Sequence, residues 1–171
     1  DMVIPSEKAA ILAQAETGDV AFYDKVLPYS DKGEATVLGH LRRALEFNLE
    51  RTGEHGLLCG LVADWNDCLE FGPKGETTFV AFQVRFGLRV YAGICDMLGR
   101  GSEAEWARSE LKRWDKVIAQ TTWDGKWFLR AYRSNGELLG SKVNDEGRVF
   151  LNPQSWAVIS GAASEEQART A

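Results

Sequence analysis

The sequence is short of most of what metal and disulfide chemistry requires. It has only three cysteines, Cys59, Cys68 and Cys95, with no C-x-x-C pair among them. An odd count without paired spacing argues against a disulfide framework or a zinc site and favours a reducing compartment, so a cytoplasmic location is the expectation. The two histidines, His40 and His55, do not share metal-ligand spacing. There is no basic surplus, since the net charge is −5. Without it, phosphate-backbone neutralisation has no source, and a nucleic-acid partner is not expected. Nor is there an uninterrupted membrane-length apolar run. The longest candidate, Phe79 to Leu98, is broken by Arg85, Arg89 and Asp96, which points to a buried helix of a globular chain instead of a membrane span. No signal peptide is expected from this reading, and G-x-S-x-G, the nucleophile elbow of many hydrolases, does not occur.

What is present is an ordinary globular composition, 44% hydrophobic and 26% charged, in 171 residues. That is enough for one domain with a sizeable core. Six tryptophans are many for this length. Most are expected to pack, but an indole face also stacks on the C–H side of a pyranose. The start at Asp1 and the polar run Ser164-Glu165-Glu166-Gln167 at the other end are read as signs of a piece of a larger protein.

Periodicity predicts a mainly helical chain. A short helix is expected over 5–16, followed by an aromatic loop from Phe22 to Ser30. A second helix is expected from about Gly33 to Arg51, with Leu38, Leu41, Leu45 and Leu49 on one face. Residues 76–98 read as a helix apolar on two sides, with Phe79, Phe82, Phe86 and Val90 in one stripe and Val80, Val84, Leu88 and Tyr91 in another. The next helix has one stripe, Ala107, Leu111, Trp114 and Ile118, with Ser102 as expected N-cap and Glu105 completing a capping box. A doubly buried helix beside an amphipathic one suggests concentric layers or a helix stack. From Trp123 the pattern becomes strand-like: Trp127 to Tyr132, an Asn135-Gly136 turn, Glu137 to Val143, and a return through Val149 to Leu151. Pro153 then suits the first position of a helix, Gly161 ends it, and Ser164 caps a last one.

Chemistry is concentrated in Ala63-Asp64-Trp65-Asn66-Asp67-Cys68-Leu69-Glu70. Two carboxylates, an indole and an amide fall within four residues between an apolar run and the loop Gly72-Pro73-Lys74-Gly75. Asp64 or Asp67 could serve as a general acid if burial beside Trp65 and Leu61 raised its pKa. The plainer alternative is an Asx turn, with Asn66 and Asp67 bonding local backbone N–H groups. The segment lacks the Gly and terminal Glu of a calcium loop. Gly99-Arg100-Gly101-Ser102-Glu103-Ala104 matches G-x-G-x-x-A, but a helix precedes it, so it reads as a helix link and not as a dinucleotide site. The pair Trp123 and Trp127 reads as packing under the hairpin. Asn152-Pro153-Gln154-Ser155-Trp156 could bind an oxygen-rich ligand or hold the hairpin onto the helices.

Five motifs in order carry a resemblance: Tyr23-Asp24-Lys25-Val26-Leu27-Pro28-Tyr29; Gly33 to Leu41; Ala63 to Leu69; Trp127-Phe128-Leu129-Arg130-Ala131-Tyr132; and Asn152 to Val158. Together they resemble the inverting glycoside phosphorylases of glycoside hydrolase family 94, over about residues 18–161. The resemblance implies a mainly α fold, part of an (α/α)6 barrel with a β-hairpin excursion near residues 123–151. Residues 1–171 would form one incomplete catalytic unit. It implies reversible inverting phosphorolysis of a β-linked disaccharide to an α-sugar 1-phosphate, with Asp67 as general acid. Trp65 would line the sugar subsite, and Asp64 and Asn66 would shape its loop. No cofactor is implied; inorganic phosphate is a co-substrate. The remaining partners would be a disaccharide or oligosaccharide and the rest of the catalytic domain. The isolated chain is expected to be inactive, and an apolar face along 79–98 is expected to favour homodimers. Two alternatives stay open: a related glycan hydrolase or glucan-synthase-associated domain, and a non-catalytic helical module that binds glycans or proteins.

Overall fold

The computed structural model describes residues 10–12, 14–61, 65, 66 and 68–171. Residues 10–12 and 14–17 are helical (α1). A 3-10 turn, Val20–Asp24, leads to β1 (Val26–Pro28) and β2 (Glu34–Thr36), then to α2 (Val37–Leu49). After a long loop come β3 (Glu76–Thr77), α3 (Thr78–Met97) and α4 (Gly101–Thr121). The chain ends with β4 (Ala131–Tyr132), β5 (Leu138–Leu139), α5 (Leu151–Ser160) and α6 (Glu165–Thr170). Helices dominate, and two small antiparallel sheets, β1-β2 and β3-β4-β5, sit among them.

Helix α3 is the centre of the fold because it has no polar face wide enough to meet water. Phe79, Val80, Phe82, Val84, Leu88, Tyr91, Ile94 and Cys95 are all buried. It packs against α2, α4 and α5. The Thr77 hydroxyl caps its start by accepting from Val80 N. Gly99, at φ +68, turns the chain into α4. Trp114 of α4 is fully buried against α3, and its indole N–H donates to the Ala81 carbonyl at 2.9 Å. That bond satisfies the one polar atom of the largest side chain in the core.

Charged side chains on α3 are used to fix its neighbours. Arg85 bonds Asp115 of α4 at 2.6 Å and also reaches the Ser160 carbonyl at the C-terminus of α5. Arg89 donates to the same carbonyl at 2.7 Å. Two guanidinium groups thus meet the negative end of the α5 dipole, just before Gly161 turns left-handed at φ 73. This explains the charges that interrupt the apolar run. No described helix is long and apolar enough to cross a membrane. On the far side, Arg42 of α2 bonds Glu46 and Glu103 and lies over the Trp106 ring, 4.0 Å from its centroid. The Tyr91 hydroxyl donates to Glu103 at 3.0 Å, so one network ties α2, α3 and α4 together. Arg42 holds the Glu103 carboxyl below the usual carboxylate range.

Several boundaries differ from the sequence reading, each for a tertiary reason. Residues 34–36 are not helical: Val26 pairs with Thr36 and Pro28 with Glu34, and the helix starts at Val37 under a Thr36 cap. Glu76 and Thr77 are likewise diverted into a sheet before α3 begins. Ser102 does not cap α4. The link from α3 is so short that Arg100 is the N-cap residue, without a side-chain cap bond, and Ser102 already lies in the first turn. The hairpin exists, with Asn135 and Gly136 in its turn, but its strands are two residues each. The expected return strand is absent; α5 begins at Leu151, which puts Pro153 at the third helical position, where its missing N–H is still harmless. Ser164 does cap α6, in a capping box with Gln167.

The expected apolar face along 79–98 is also corrected. Most of those side chains are buried where α3 packs against α2, α4 and α5, and Met97 near its end is exposed. Other exposed apolar residues include Leu151, Val158 and Ile159 on α5 and Val143 and Val149 before it.

Candidate active-site loop

The segment between α2 and α3 is built as a loop with a closed neck. The Leu57 and Leu58 side chains are fully buried, which anchors the entering strand. Thr52 bridges to Leu58 and Cys59 bridges to Glu76. Thr77 N donates to the Leu58 carbonyl at 2.9 Å, and Gly60 N donates to the Gly75 carbonyl at 2.8 Å. These bonds pair residues 58–60 with 75–77, so the chain from 61 to 74 leaves and returns at one point. Leu61 stands at the exit with φ 55, the one non-glycine residue at positive φ among those described. A β-branch-free but bulky residue held there marks local strain that the neck must sustain.

The returning limb is pinned separately. Phe71 is buried, and glycines line it because nothing larger fits: a Cβ on Gly75 would come within 2.3 Å of Phe71, and one on Gly60 within 3.0 Å. The Phe71 carbonyl accepts from Ser134 N at 2.7 Å, and Ser134 Oγ accepts from Lys74 N at 2.9 Å. The hairpin turn therefore holds the loop. Arg130, also buried, donates to Thr77 Oγ1 at 3.1 Å and places its guanidinium 5.1 Å from the Phe71 centroid and 5.4 Å from that of Phe79. Such a stacked cation supports both rings from beneath.

Trp65 is 65% exposed. Its ring meets the buried Phe79 edge-on at 6.3 Å, and Phe79 meets Trp156 edge-on at 6.3 Å. An indole open to solvent on one side and backed by a row of fixed rings suits a sugar platform. Asn66 forms the Asx turn foreseen as the plainer reading: its Oδ1 accepts from Cys68 N at 3.1 Å, and Leu69 N donates to its carbonyl at 2.9 Å. Asp64 and Asp67 lie outside the described residues. The observed bonds of Asn66 are those of a local turn.

The other candidate segments are structural. Gln154 is buried, and its amide accepts from Phe128 N at 2.8 Å and donates to the Phe128 and Phe150 carbonyls at 2.8 and 2.9 Å. It holds the hairpin segment to α5, one of the two roles open to it from sequence. Trp127 donates to the Gly140 carbonyl at 2.9 Å, and Trp123 packs on Phe128 at 4.8 Å, as expected for packing residues. Gly99 to Ala104 is the α3–α4 link. Among the described residues no group of three or more His, Cys, Asp or Glu side chains could hold a metal ion.

Sequence reasoning passed over Glu76, His55, Phe71 and Arg130. The glycines around them, at 53, 56, 60, 72 and 75, were the available signal, because they mark close backbone approach around a large side chain.

Comparison with known proteins defines the class. The family model described as "Glycosyl hydrolase 94 superfamily, catalytic domain" matches residues 3–171. The chain belongs to that family. It is 36% identical over 158 residues to an N,N'-diacetylchitobiose phosphorylase of Vibrio proteolyticus, covering 91% of this chain and 20% of that protein. It is also 36% identical over 157 residues to a solabiose phosphorylase of Paenibacillus borealis, covering 90% and 20%. The chain thus spans about a fifth of the length of these curated relatives. Among solved structures, a GH78-family rhamnosidase of Bacillus sp. GL1 superposes with a TM-score of 0.70 at 20% identity, over 95% of this chain and 16% of that one. That likeness concerns the fold alone.

Proposed function

We propose that the polypeptide carrying this chain is an inverting glycoside phosphorylase, and that residues 1–171 supply the acid loop of its (α/α)6 catalytic barrel. Family membership supports the reaction class. The observation that carries the local assignment is the exposed Trp65, backed by Phe79 and held on a loop closed at its neck.

In this reading a β-linked disaccharide lays its reacting sugar against Trp65. Asp67 donates a proton to the glycosidic oxygen as the C1–O bond breaks. An oxygen of inorganic phosphate attacks C1 from the opposite face, and the products are an α-sugar 1-phosphate and the free second sugar. Asp64 and Asn66 fix the loop around the acid. An inverting hydrolase needs a second carboxylate to deprotonate water. Phosphate is already an anion, so one acid suffices, and the barrier is lowered by holding phosphate in line. No cofactor enters. The phosphate pocket would be furnished by the rest of the catalytic domain.

The two relatives of equal identity act on different disaccharides by name, so the proposed substrate is the class of β-linked, gluco-configured disaccharides. The test is to incubate the full-length protein with cellobiose or N,N'-diacetylchitobiose, with and without phosphate, and to identify the product anomer. Phosphate-dependent release of an α-sugar 1-phosphate is expected. Turnover independent of phosphate would make it a hydrolase, and a β-anomer would contradict inversion.

A further inference from the structure

We propose that Glu76, together with His55, is a positioning pair for the proton donor: it fixes the neck of the loop that carries Asp67 and so governs proton delivery to the leaving sugar. The proposal rests on the phosphorylase reading above.

The Glu76 side chain is 2% exposed. Its Oε1 accepts from Leu57 N at 2.9 Å, and both oxygens lie within reach of His55 N, at 3.1 and 3.2 Å. His55 Nδ1 approaches Oε2 at 2.6 Å. The carboxylate is thus wrapped by the turn 53–57, which Gly53 N closes onto the Leu57 carbonyl at 2.9 Å. The wrap is tight: a Cβ on Gly53 would lie 2.4 Å from Glu76 Cγ. The His55 ring stacks on Tyr132 of β4, centroids 3.9 Å apart, and the Tyr132 hydroxyl bonds the Thr121 carbonyl at 2.6 Å.

Burial rules Glu76 out as a group that touches substrate. Stability alone explains it poorly, because an apolar pair would avoid the desolvation cost of a buried carboxylate. Its placement suggests geometry instead. Glu76 sits in one limb of the neck, bridged to Cys59, while its side chain grips the turn that feeds the other limb. Its side chain thus links the two ends of the loop. The returning limb has its own anchors in Phe71 and Ser134. Loss of the Glu76 bonds should therefore loosen the entering limb, at Gly60 and the strained Leu61, and leave the rest folded. An ångström of misplacement at a reacting centre costs about 10²-fold in rate.

The test uses the full-length protein and substrates that differ in their need for acid. Glu76→Gln replaces an acceptor oxygen with a donor against N–H groups. His55→Phe keeps a ring against Tyr132 but removes one donor, and serves if the first variant folds poorly. Wild type, both variants and Asp67→Asn are compared on the disaccharide the wild type uses and on the 2,4-dinitrophenyl β-glycoside of the same sugar, whose leaving group departs without a proton. For Glu76→Gln the expectation is a fall in kcat of about 10- to 100-fold on the disaccharide, with the dinitrophenyl glycoside within about threefold of wild type. Equal losses on both substrates, or no loss on either, would overturn the proposal. If Asp67→Asn shows the selective pattern and neither neck variant does, the acid assignment stands and the positioning role falls. If wild type shows no phosphate-dependent turnover, the phosphorylase reading and this proposal fall together.

Discussion

Replacing Gln154 with leucine should release the hairpin segment from α5 without unfolding the helices. The wild-type amide makes three bonds of 2.8–2.9 Å, to Phe128 N, the Phe128 carbonyl and the Phe150 carbonyl. Leucine has similar bulk but no polar atom. The Phe128 N–H would be left in a buried setting beside a side chain that is 2% exposed. A buried polar group without a partner costs about 1–3 kcal/mol, and a lost neutral bond about 1 kcal/mol net. Phe150 lies nearer the surface, so its carbonyl can find water and contributes little. The sum is about 3 kcal/mol, or roughly a hundredfold in the local opening equilibrium. Hydrogen exchange followed by mass spectrometry on full-length protein would read this directly. Peptides covering 124–132 should exchange about a hundredfold faster in Gln154→Leu, while peptides within α4 stay near wild type. Exchange within threefold of wild type at 124–132 would refute the claim that Gln154 holds this segment.

Trp65→Ala should leave thermal stability within about 0.5 kcal/mol, because the ring is mostly in solvent, yet raise KM for the disaccharide by about 3- to 10-fold from lost stacking; a KM within twofold would contradict the platform role. Glu103, held below the usual carboxylate range chiefly by its bond from Arg42, stabilises the fold fully above the unfolded-state pKa of about 4.3. That contribution is lost as pH falls through the lower folded value, so the stability gap between wild type and Glu103→Gln should close below about pH 4 and be constant above about pH 5.5. A gap that widens on acidification would overturn the sign. The isolated 171-residue chain should release no sugar 1-phosphate from cellobiose and phosphate; measurable turnover would show that it holds its own phosphate pocket.

Helices were the legible part of this sequence. Leu38, Leu41 and Leu45 on α2, and Ala107, Trp114 and Ile118 on α4, recur at helical spacing and are buried. The two-sided burial of α3 was likewise written in its composition. The strands were not legible, because two-residue strands carry no alternation. Glu76–Thr77 is a strand only because Ala131–Tyr132, far along the chain, lies beside it. Capping failed at Ser102 for a related reason. The motif is sound locally, but the α3–α4 link is too short to let the helix wait for it. In the candidate loop, Trp65 and Asn66 stood out because a cluster of polar and aromatic residues beside an apolar run is hard to explain by packing. The neck was not, because nothing local connects His55 to Glu76; only folding brings a turn around that carboxylate. The phosphorylase resemblance came from the order of five motifs, which periodicity alone would never have supplied.

The most direct measurement is the rate of α-sugar 1-phosphate formation by full-length Asp67→Asn protein at saturating disaccharide and phosphate. The account predicts a loss of about 10²- to 10⁴-fold in kcat, the range expected for removing a positioned general acid, with disaccharide binding within a few-fold of wild type. Turnover at a rate near wild type would contradict it.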